Sequence, residues 1–100
     1  MSERDEDIET KAVVARIEGR VQGVWFRGWT VMEARQRGLR GWVRNRSDGS
    51  VEAMFAGPKT AVDAMLEACW NGPPAAQVRR VTPSSAVYPQ DPGFHGLPTC

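Results

Sequence analysis

The hydrophobic period of this chain alternates between two residues and about 3.6 residues, and this alternation restricts the order of its secondary-structure elements. Val13, Ala15 and Ile17 share one face of the first such stretch, which predicts a strand over residues 12–18. A loop bounded by two glycines follows over residues 19–23. Whatever fold the chain adopts must therefore accommodate a glycine-bounded turn directly after its first strand.

A first helix is predicted after this loop. It begins at Trp25 or Phe26 and ends at Arg37, with Gly38 as a left-handed stop. Gly28 lies within it and costs roughly 1 kcal/mol relative to alanine. The first turn of this helix carries an aromatic residue and an arginine.

The rest of the chain continues the pattern with strands and a second helix. Strands are predicted over residues 39–45 and 50–57, joined by a hairpin turn at the Asp-Gly pair 48–49. A second helix is predicted to begin at the Gly-Pro pair 57–58, because proline suits the first helical position. Its apolar stripe consists of Val62, Met65, Leu66, Cys69 and Trp70. Residues 76–82 are predicted to form a fourth strand.

This β-α-β-β-α-β order predicts an α+β fold: a ferredoxin-like two-layer sandwich with an antiparallel sheet and both helices on one face. In this arrangement the first and second strands run parallel, with the third strand between them. The C-terminal ends of those two strands then share one edge of the sheet. The loop at residues 19–23 is therefore expected to lie close to Asn45, where the second strand ends.

Charge and proline content divide the 100 residues into three parts. Five of the twelve acidic residues lie in the first ten positions, so residues 1–10 are predicted to form a disordered acidic tail. Residues 11–82 are the predicted core of one domain and contain twelve basic against six acidic residues, an excess that attracts anions. Residues 83–100 form a proline-rich segment without a sustained period.

Composition also bounds the compartment and the redox chemistry. The N-terminus lacks the basic start and apolar stretch of a signal peptide, and no apolar run approaches the roughly 20 residues of a membrane span. The expected location is the cytoplasm. Cys69 and Cys100 are predicted to be free thiols, although sequence alone leaves one bridge between them open, and neither belongs to a paired Cys-x-x-Cys metal site.

The edge shared by the loop and Asn45 is predicted to bind an anion. Backbone N–H groups between Arg20 and Phe26 lie where a helix begins, and free N–H groups and the helix dipole attract anions there. Arg27, in the first turn, adds a planar guanidinium that fits two phosphate oxygens. Asn45 adds an uncharged amide with one acceptor and two donor hydrogens.

The groups that many hydrolases require are missing from this edge. The single histidine, His95, lies in the proline-rich segment, the acids of the core are scattered, and neither cysteine is near the loop. No nucleophile–base pair, strong general acid or metal-ligand cluster is therefore predicted. Hydrolysis of a mixed carboxylic–phosphoric anhydride fits such a site, because the carboxylate departs without being protonated. Positioning of a water and stabilisation of phosphoryl charge would carry the catalysis.

Four stretches, GRVQGVWFR, GLRGWVRN, DGSVE and GPPAAQV, together make residues 13–82 resemble the acylphosphatases. The resemblance implies the sandwich fold and cleavage of carboxyl–phosphate bonds without metal or cofactor. It implies that Arg27 binds the phosphoryl group and that Asn45 positions the attacking water. The implied phosphate-binding loop consists of Arg20, Val21, Gln22, Gly23, Val24, Trp25 and Phe26.

The same resemblance implies the partners of the chain and raises one structural question. The implied substrate is a small acyl phosphate and the product is inorganic phosphate; a monomer is expected, with no nucleic acid and no membrane as partner. Family members often finish with a short strand near the C-terminus. Gly96 and Pro98 suit a strand poorly, so a final edge strand within residues 83–100 is left open.

The residues named above also have purely structural interpretations. Arg27 could be a surface arginine, Asn45 a turn former, and Gln22 a residue that only shapes the loop through a hydrogen bond. The tryptophans fit the core or a pocket wall: Trp25, Trp29, Trp42 and Trp70. Three further arginines could steer anions or simply be solvated: Arg20, Arg44 and Arg46.

Two other classes of protein share parts of this pattern. RNA-binding modules use the same element order but carry several aromatic residues on the third strand, where this chain has Phe55 alone. A non-catalytic phosphate- or acyl-phosphate-binding module, or a regulatory domain freed from a larger protein, would keep anion affinity but lose turnover. It would have no need of Asn45 to hold a water, which distinguishes it from a hydrolase.

Overall fold

The structure is a computed structural model, and it describes residues 9–100. The elements in chain order are β1 (Thr10–Arg20), α1 (Phe26–Gln36), β2 (Arg40–Asn45), β3 (Val51–Pro58), α2 (Lys59–Asn71), β4 (Gln77–Ser85) and β5 (Phe94–Gly96). The predicted order of six elements is confirmed, and β5 follows them. Most of the predicted acidic tail lies outside the described residues.

The strands form one five-stranded sheet in the order β4-β1-β3-β2-β5. β3 pairs antiparallel with both β1 and β2, so Val13 lies opposite Phe55 and Val43 lies opposite Ala53. β1 and β2 therefore run parallel to each other with β3 between them, as predicted. β4 is antiparallel to β1, whereas β5 adds one parallel pair at the edge of β2.

The core lies between the helices and one face of the sheet. Val13, Ala15 and Ile17 on β1 are buried, while Arg16 between them is exposed, which confirms the predicted alternation. Both helices contribute to the same cluster of buried side chains, so the two-layer α+β sandwich is confirmed. The stripe predicted on α2 is wrong at its C-terminal end: Trp70 is 49% exposed, because the helix ends one residue later and leaves the core there.

The β1–β4 pair contains a bulge that explains the irregular fourth strand. Glu18 lies opposite Arg80 and Gly19 opposite Val78, so Arg79 is the extra residue. The bulge brings Val78 and Val81 to the same face, although three positions separate them, and both pack on the core. The predicted loop boundary at residue 19 is thus wrong, since β1 continues to Arg20.

The junction of β3 and α2 differs from the predicted one, whereas the end of α1 agrees with it. Pro58 closes β3 and is the N-cap of α2, with φ −56° and ψ 138°, rather than its first helical residue. At the end of α1, Gly38 has a φ of 69°, in agreement with its predicted role as a left-handed stop. None of the helices within residues 9–100 is long and apolar enough to span a membrane.

The final edge strand that the sequence left open is present as β5. Phe94 is buried and stacks on Phe55 with 5.7 Å between ring centroids. Beyond β5 the chain stays beside β2, since the Leu97 amide donates to the Val43 carbonyl at 2.8 Å. Gly96 and Pro98 are tolerated because this strand is at the sheet edge and only three residues long.

Candidate active site

The segment between β1 and α1 presents a row of free backbone N–H groups. The first backbone hydrogen bond of α1 runs from the Trp29 amide to the Trp25 carbonyl, at 3.0 Å. Within the described part of the chain, no N–H group from residue 22 to residue 28 has a protein acceptor, and no side chain caps the helix. The first turn also contains no acidic residue. These N–H groups and the positive end of the helix dipole favour an anion.

Trp25 turns the chain into the helix with a strained backbone. Its φ of 68° and ψ of 25° lie in the left-handed region, where no other non-glycine residue of the described chain has a positive φ. A side chain in this conformation costs roughly 1–2 kcal/mol. The indole lies across the first turn of α1: a Cβ added to Gly28 would lie 2.3 Å from Trp25 Nε1. Glycine at position 28 therefore leaves the space that the indole occupies.

Arg27 is half-buried in the first turn of α1, and its guanidinium is held from the C-terminal segment. Its Nη1 donates to the Leu97 carbonyl at 3.1 Å, a contact between residues 70 positions apart. The other guanidinium N–H groups have no acceptor within residues 9–100. The side chain is thus oriented at one nitrogen and free to bind an anion with the others.

Asn45 ends β2 on the helix side of the sheet, two residues after the buried Val43. Its backbone carbonyl accepts from the Cys100 amide at 3.0 Å. The side-chain amide lines the same cleft as Arg27 and makes no hydrogen bond with the described residues. It is therefore available to a water or ligand that enters the cleft.

Gln22 fixes the loop to the turn between β2 and β3. Its Nε2 donates to the carbonyls of Arg46 and Ser50, both at 2.8 Å. These contacts match the loop-shaping alternative, and they place the loop beside the residue that follows Asn45. The sequence could indicate that Gln22 was polar and lay in the loop, but not which carbonyls it would meet.

The turn that receives Gln22 is itself held by a carboxylate. Asp48 accepts from the hydroxyl of Ser50 at 2.7 Å and from its backbone amide at 2.9 Å. These bonds, together with the Arg16 guanidinium at 2.7 Å, hold the pKa of Asp48 well below its usual range. The turn is therefore a preformed support for the loop at neutral pH.

The loop, the helix start and the end of β2 enclose a cleft of about 530 Å³. Its lining residues are Val21, Gln22, Gly23, Trp25, Phe26, Arg27, Gly28 and Asn45. Of the predicted site residues, Arg20 and Val24 do not line it: Arg20 ends β1 and is exposed, and Val24 packs against the core. Phe26 has a buried side chain, so it offers the cleft mainly its backbone. Gly28 and the nearby carbonyl of Leu97 were not predicted.

The remaining charged candidates lie elsewhere. Arg44 and Arg46 both pair with Glu52, at 3.0 Å and 2.8 Å, and Arg44 also lies over the Trp42 ring. Burial alone would raise the pKa of Glu52, but the hydrogen bonds from the two arginines outweigh it and hold that pKa below its ordinary value. The two arginines therefore share one neutralising carboxylate.

His95 and the cysteines are also outside the cleft. His95 lies in β5 and its Nε2 is 3.3 Å from a carboxylate oxygen of Asp91. Cys69 is buried, which raises the pKa of its thiol to about 12, whereas Cys100 is exposed. Both cysteines are free thiols, as predicted. Across residues 9–100 no three histidine, cysteine or acidic side chains form a group that could hold a metal ion.

Comparison with known proteins gives one consistent family. The family model described as acylphosphatase matches residues 13–96. An acylphosphatase of Rhodospirillum rubrum is 58% identical over 91 residues, which cover 89% of this chain and 98% of that protein. The solved acylphosphatase structure from Coxiella burnetii has a TM-score of 0.86 and 32% identity, and covers 92% of this chain and 96% of its own. The acylphosphatase structure from Bacillus subtilis has a TM-score of 0.82 and is 36% identical in sequence. The match covers 89% of this chain and 99% of that protein.

Proposed function

We propose a mechanism for this chain, which belongs to the acylphosphatase family and hydrolyses acyl phosphates. A water attacks the phosphoryl group in line. Asn45 holds the water, and Arg27 and the loop backbone hold the phosphoryl group. The products are a carboxylate and inorganic phosphate. The observation that carries this mechanism is the convergence, in one cleft, of free N–H groups, a free guanidinium edge and a free amide.

We assign phosphoryl binding to the backbone N–H groups at the start of α1 and to the Arg27 guanidinium. The N–H groups of residues 22–28 lie at the start of α1 without an acceptor in residues 9–100, and Arg27 is oriented by the Leu97 carbonyl. Donors held in place before the reaction stabilise developing negative charge without reorganising. Arg20 and Val24, which complete the proposed loop in the sequence, contribute through the path of the backbone.

The water is assigned to Asn45 because its amide is the free uncharged polar side chain of the cleft. An amide neither gains nor loses a proton at working pH, so it can orient a water but cannot act as a base. The reaction tolerates this, since the leaving carboxylate needs no proton and a loose phosphoryl transition state demands little from the nucleophile. A pure phosphate binder would gain nothing from such an amide.

The wider features of the proposal follow from the same site. The substrate is a small molecule, and the proposed step requires no metal, cofactor, nucleic acid or membrane. We propose that the chain acts as a monomer, because every group assigned to the reaction comes from one copy. We also propose a cytoplasmic location.

The test is turnover of a model acyl phosphate, with a chelator present, by the wild type, Arg27→Ala and Asn45→Ala. Loss of one placed stabilising group typically lowers the rate by about 10²–10³-fold, and we expect this from both variants. Arg27→Ala should also lose affinity for inorganic phosphate, whereas Asn45→Ala should retain it.

Matched controls are an exposed arginine on β4 and the asparagine that ends α2. Arg80 and Asn71 lie outside the cleft, so Arg80→Ala and Asn71→Ala should leave turnover unchanged. A folded wild type that binds phosphate without turnover would leave only a binding module. Unchanged turnover in Asn45→Ala would remove the water-positioning role.

A further inference from the structure

Trp25 is a large apolar side chain exposed at the active-site cleft. Its exposed fraction is 61%, and it lines the cleft together with Arg27 and Asn45. An exposed indole contributes little to folding, because its apolar surface stays in water. Clefts that bind small molecules are typically lined by aromatic side chains beside a few polar groups. The indole therefore has the position of a ligand contact.

Two unfavourable backbone choices hold this indole in place. Trp25 adopts a left-handed conformation, and position 28 of the helix is a glycine. The indole is exposed, so its burial does not offset the cost of the left-handed backbone or of the helical glycine. Both features allow the ring to lie across the first turn of α1. A Cβ at position 28 would be 2.3 Å from Nε1 and 2.8 Å from Cε2 of that ring. Strain of this kind concentrates at ligand-binding positions.

We propose that Trp25, seated on Gly28, binds the acyl group of the substrate, so that the chain favours acyl phosphates with a flat apolar acyl group. This inference rests on the function proposed above. The cleft of about 530 Å³ falls within the range of roughly 300–1,000 Å³ that is usual for small-molecule sites, which leaves space beside the phosphoryl group. An adjoining groove beside Val31 and Leu97 has no aromatic side chain and is the less suitable neighbour for a flat ring.

The test compares benzoyl phosphate with acetyl phosphate. The ratio of their kcat/KM values is the quantity measured, because any change in phosphoryl binding affects both substrates alike. We expect Trp25→Ala to lower the benzoyl-to-acetyl ratio by about five- to tenfold, mainly through the KM of benzoyl phosphate. Trp25→Phe keeps an aromatic ring and should restore most of the ratio. Trp70→Ala, an exposed tryptophan outside the cleft, should not change it.

Gly28→Ala tests the seat without removing the ring. The added methyl group must displace the indole, which can swing aside, while alanine suits the helix better than glycine. The variant should therefore fold and still lose the preference for benzoyl phosphate. An unchanged ratio in both Trp25→Ala and Gly28→Ala would overturn the proposal, as would loss of the ratio in Val31→Ala alone.

Binding of stable analogues separates this proposal from the catalytic one. Calorimetry with benzylphosphonate and methylphosphonate measures recognition of the organic group without turnover. A wild type that favours benzylphosphonate, with the preference lost in Trp25→Ala, supports the acyl site even if no hydrolysis is seen. Turnover of both substrates with equal affinities for the two phosphonates would leave the catalytic proposal standing and overturn this one.

Discussion

Two amide side chains, those of Gln22 and Asn45, line the proposed active-site cleft, and their hydrogen bonds differ. Gln22 uses its amide nitrogen on the carbonyls of Arg46 and Ser50, so it is committed to the protein. Asn45 has no such partner within the described chain, so its amide remains for a water or substrate. At the scale of the residue, a polar side chain without a hydrogen-bond partner is a candidate ligand contact, whereas a fully bonded one holds the structure in place.

Removal of the Gln22 amide is expected to loosen the loop. Gln22→Ala leaves two half-buried carbonyls without this donor, and loss of such bonds typically costs about 1–3 kcal/mol of unfolding free energy. Because the loop carries the N–H groups that we propose bind phosphate, turnover should fall by about tenfold. Urea unfolding and acyl phosphate kinetics measure the two effects.

A matched control for this change is Gln36→Ala, an exposed glutamine at the end of α1. It should change neither quantity. If Gln22→Ala keeps full turnover while its stability falls, the loop does not need this anchor for its catalytic geometry.

At the scale of the element, β1 continues to pair with β4 beyond the bulge at Glu18 and Gly19. Gly19 lies in β1 with a φ of 128°, and a Cβ there would be 2.2 Å from the Gln77 carbonyl oxygen. The two backbones approach this closely because the residue has no side chain. The strand then continues to Arg20 before the loop that leads to α1 begins.

Gly19→Ala should therefore be far more destabilising than alanine at an open glycine. Gly49 also has a positive φ, of 95°, but nothing lies within 4 Å of a Cβ at that position. Gly49→Ala should lose only the roughly 1–2 kcal/mol of backbone strain, whereas Gly19→Ala adds a clash with backbone and should lose more than about 3 kcal/mol. Urea unfolding of both variants measures the difference, and equal losses would contradict it.

At the scale of the whole molecule, carboxylates with lowered pKa values are spread over both ends of the sheet and one helix. They are Asp48, Glu52, Asp63 and Asp91. Hydrogen bonds from Lys11 and, to a smaller extent, Lys59 lower the pKa of Asp63. The pKa of Asp91 is lowered mainly by a hydrogen bond from the Gly93 amide, with a smaller contribution from His95. A folded pKa below the unfolded one means that these groups stabilise the fold while they are ionised.

Stability should therefore fall in acid. The contribution is complete above the ordinary carboxyl pKa, near 4, and disappears as the pH falls through the lower folded values. Unfolding free energy measured in urea should be nearly flat from pH 7 to 5 and decrease between about pH 4 and 2. Asp48→Asn should reduce this slope, and an unchanged slope in that variant would contradict the prediction.

Much of the proposed site could be predicted, because it depends on short sequence motifs and on the order of the elements. The helix start after a glycine-bounded loop, and the parallel course of the first and second strands, bring Arg27 and Asn45 to one sheet edge. Other parts could not be foreseen. Leu97 meets Arg27 across 70 positions, and Gln22 reaches the turn after β2 across 24 and 28 positions. Such contacts depend on how elements pack, which no local pattern encodes.

The element order, the faces of β1 and the family of the chain can be read from the sequence alone, because hydrophobic period, turn residues and motif spacing are properties of neighbouring positions. Tertiary structure decided the short strand β5, the bulge that aligns Val78 with Val81, and the exposure of Trp70. It also decided the left-handed backbone of Trp25, whose indole fits only over a glycine. Strand β5 and the bulge arise where segments distant in the chain pack side by side, so only the packed molecule fixes them.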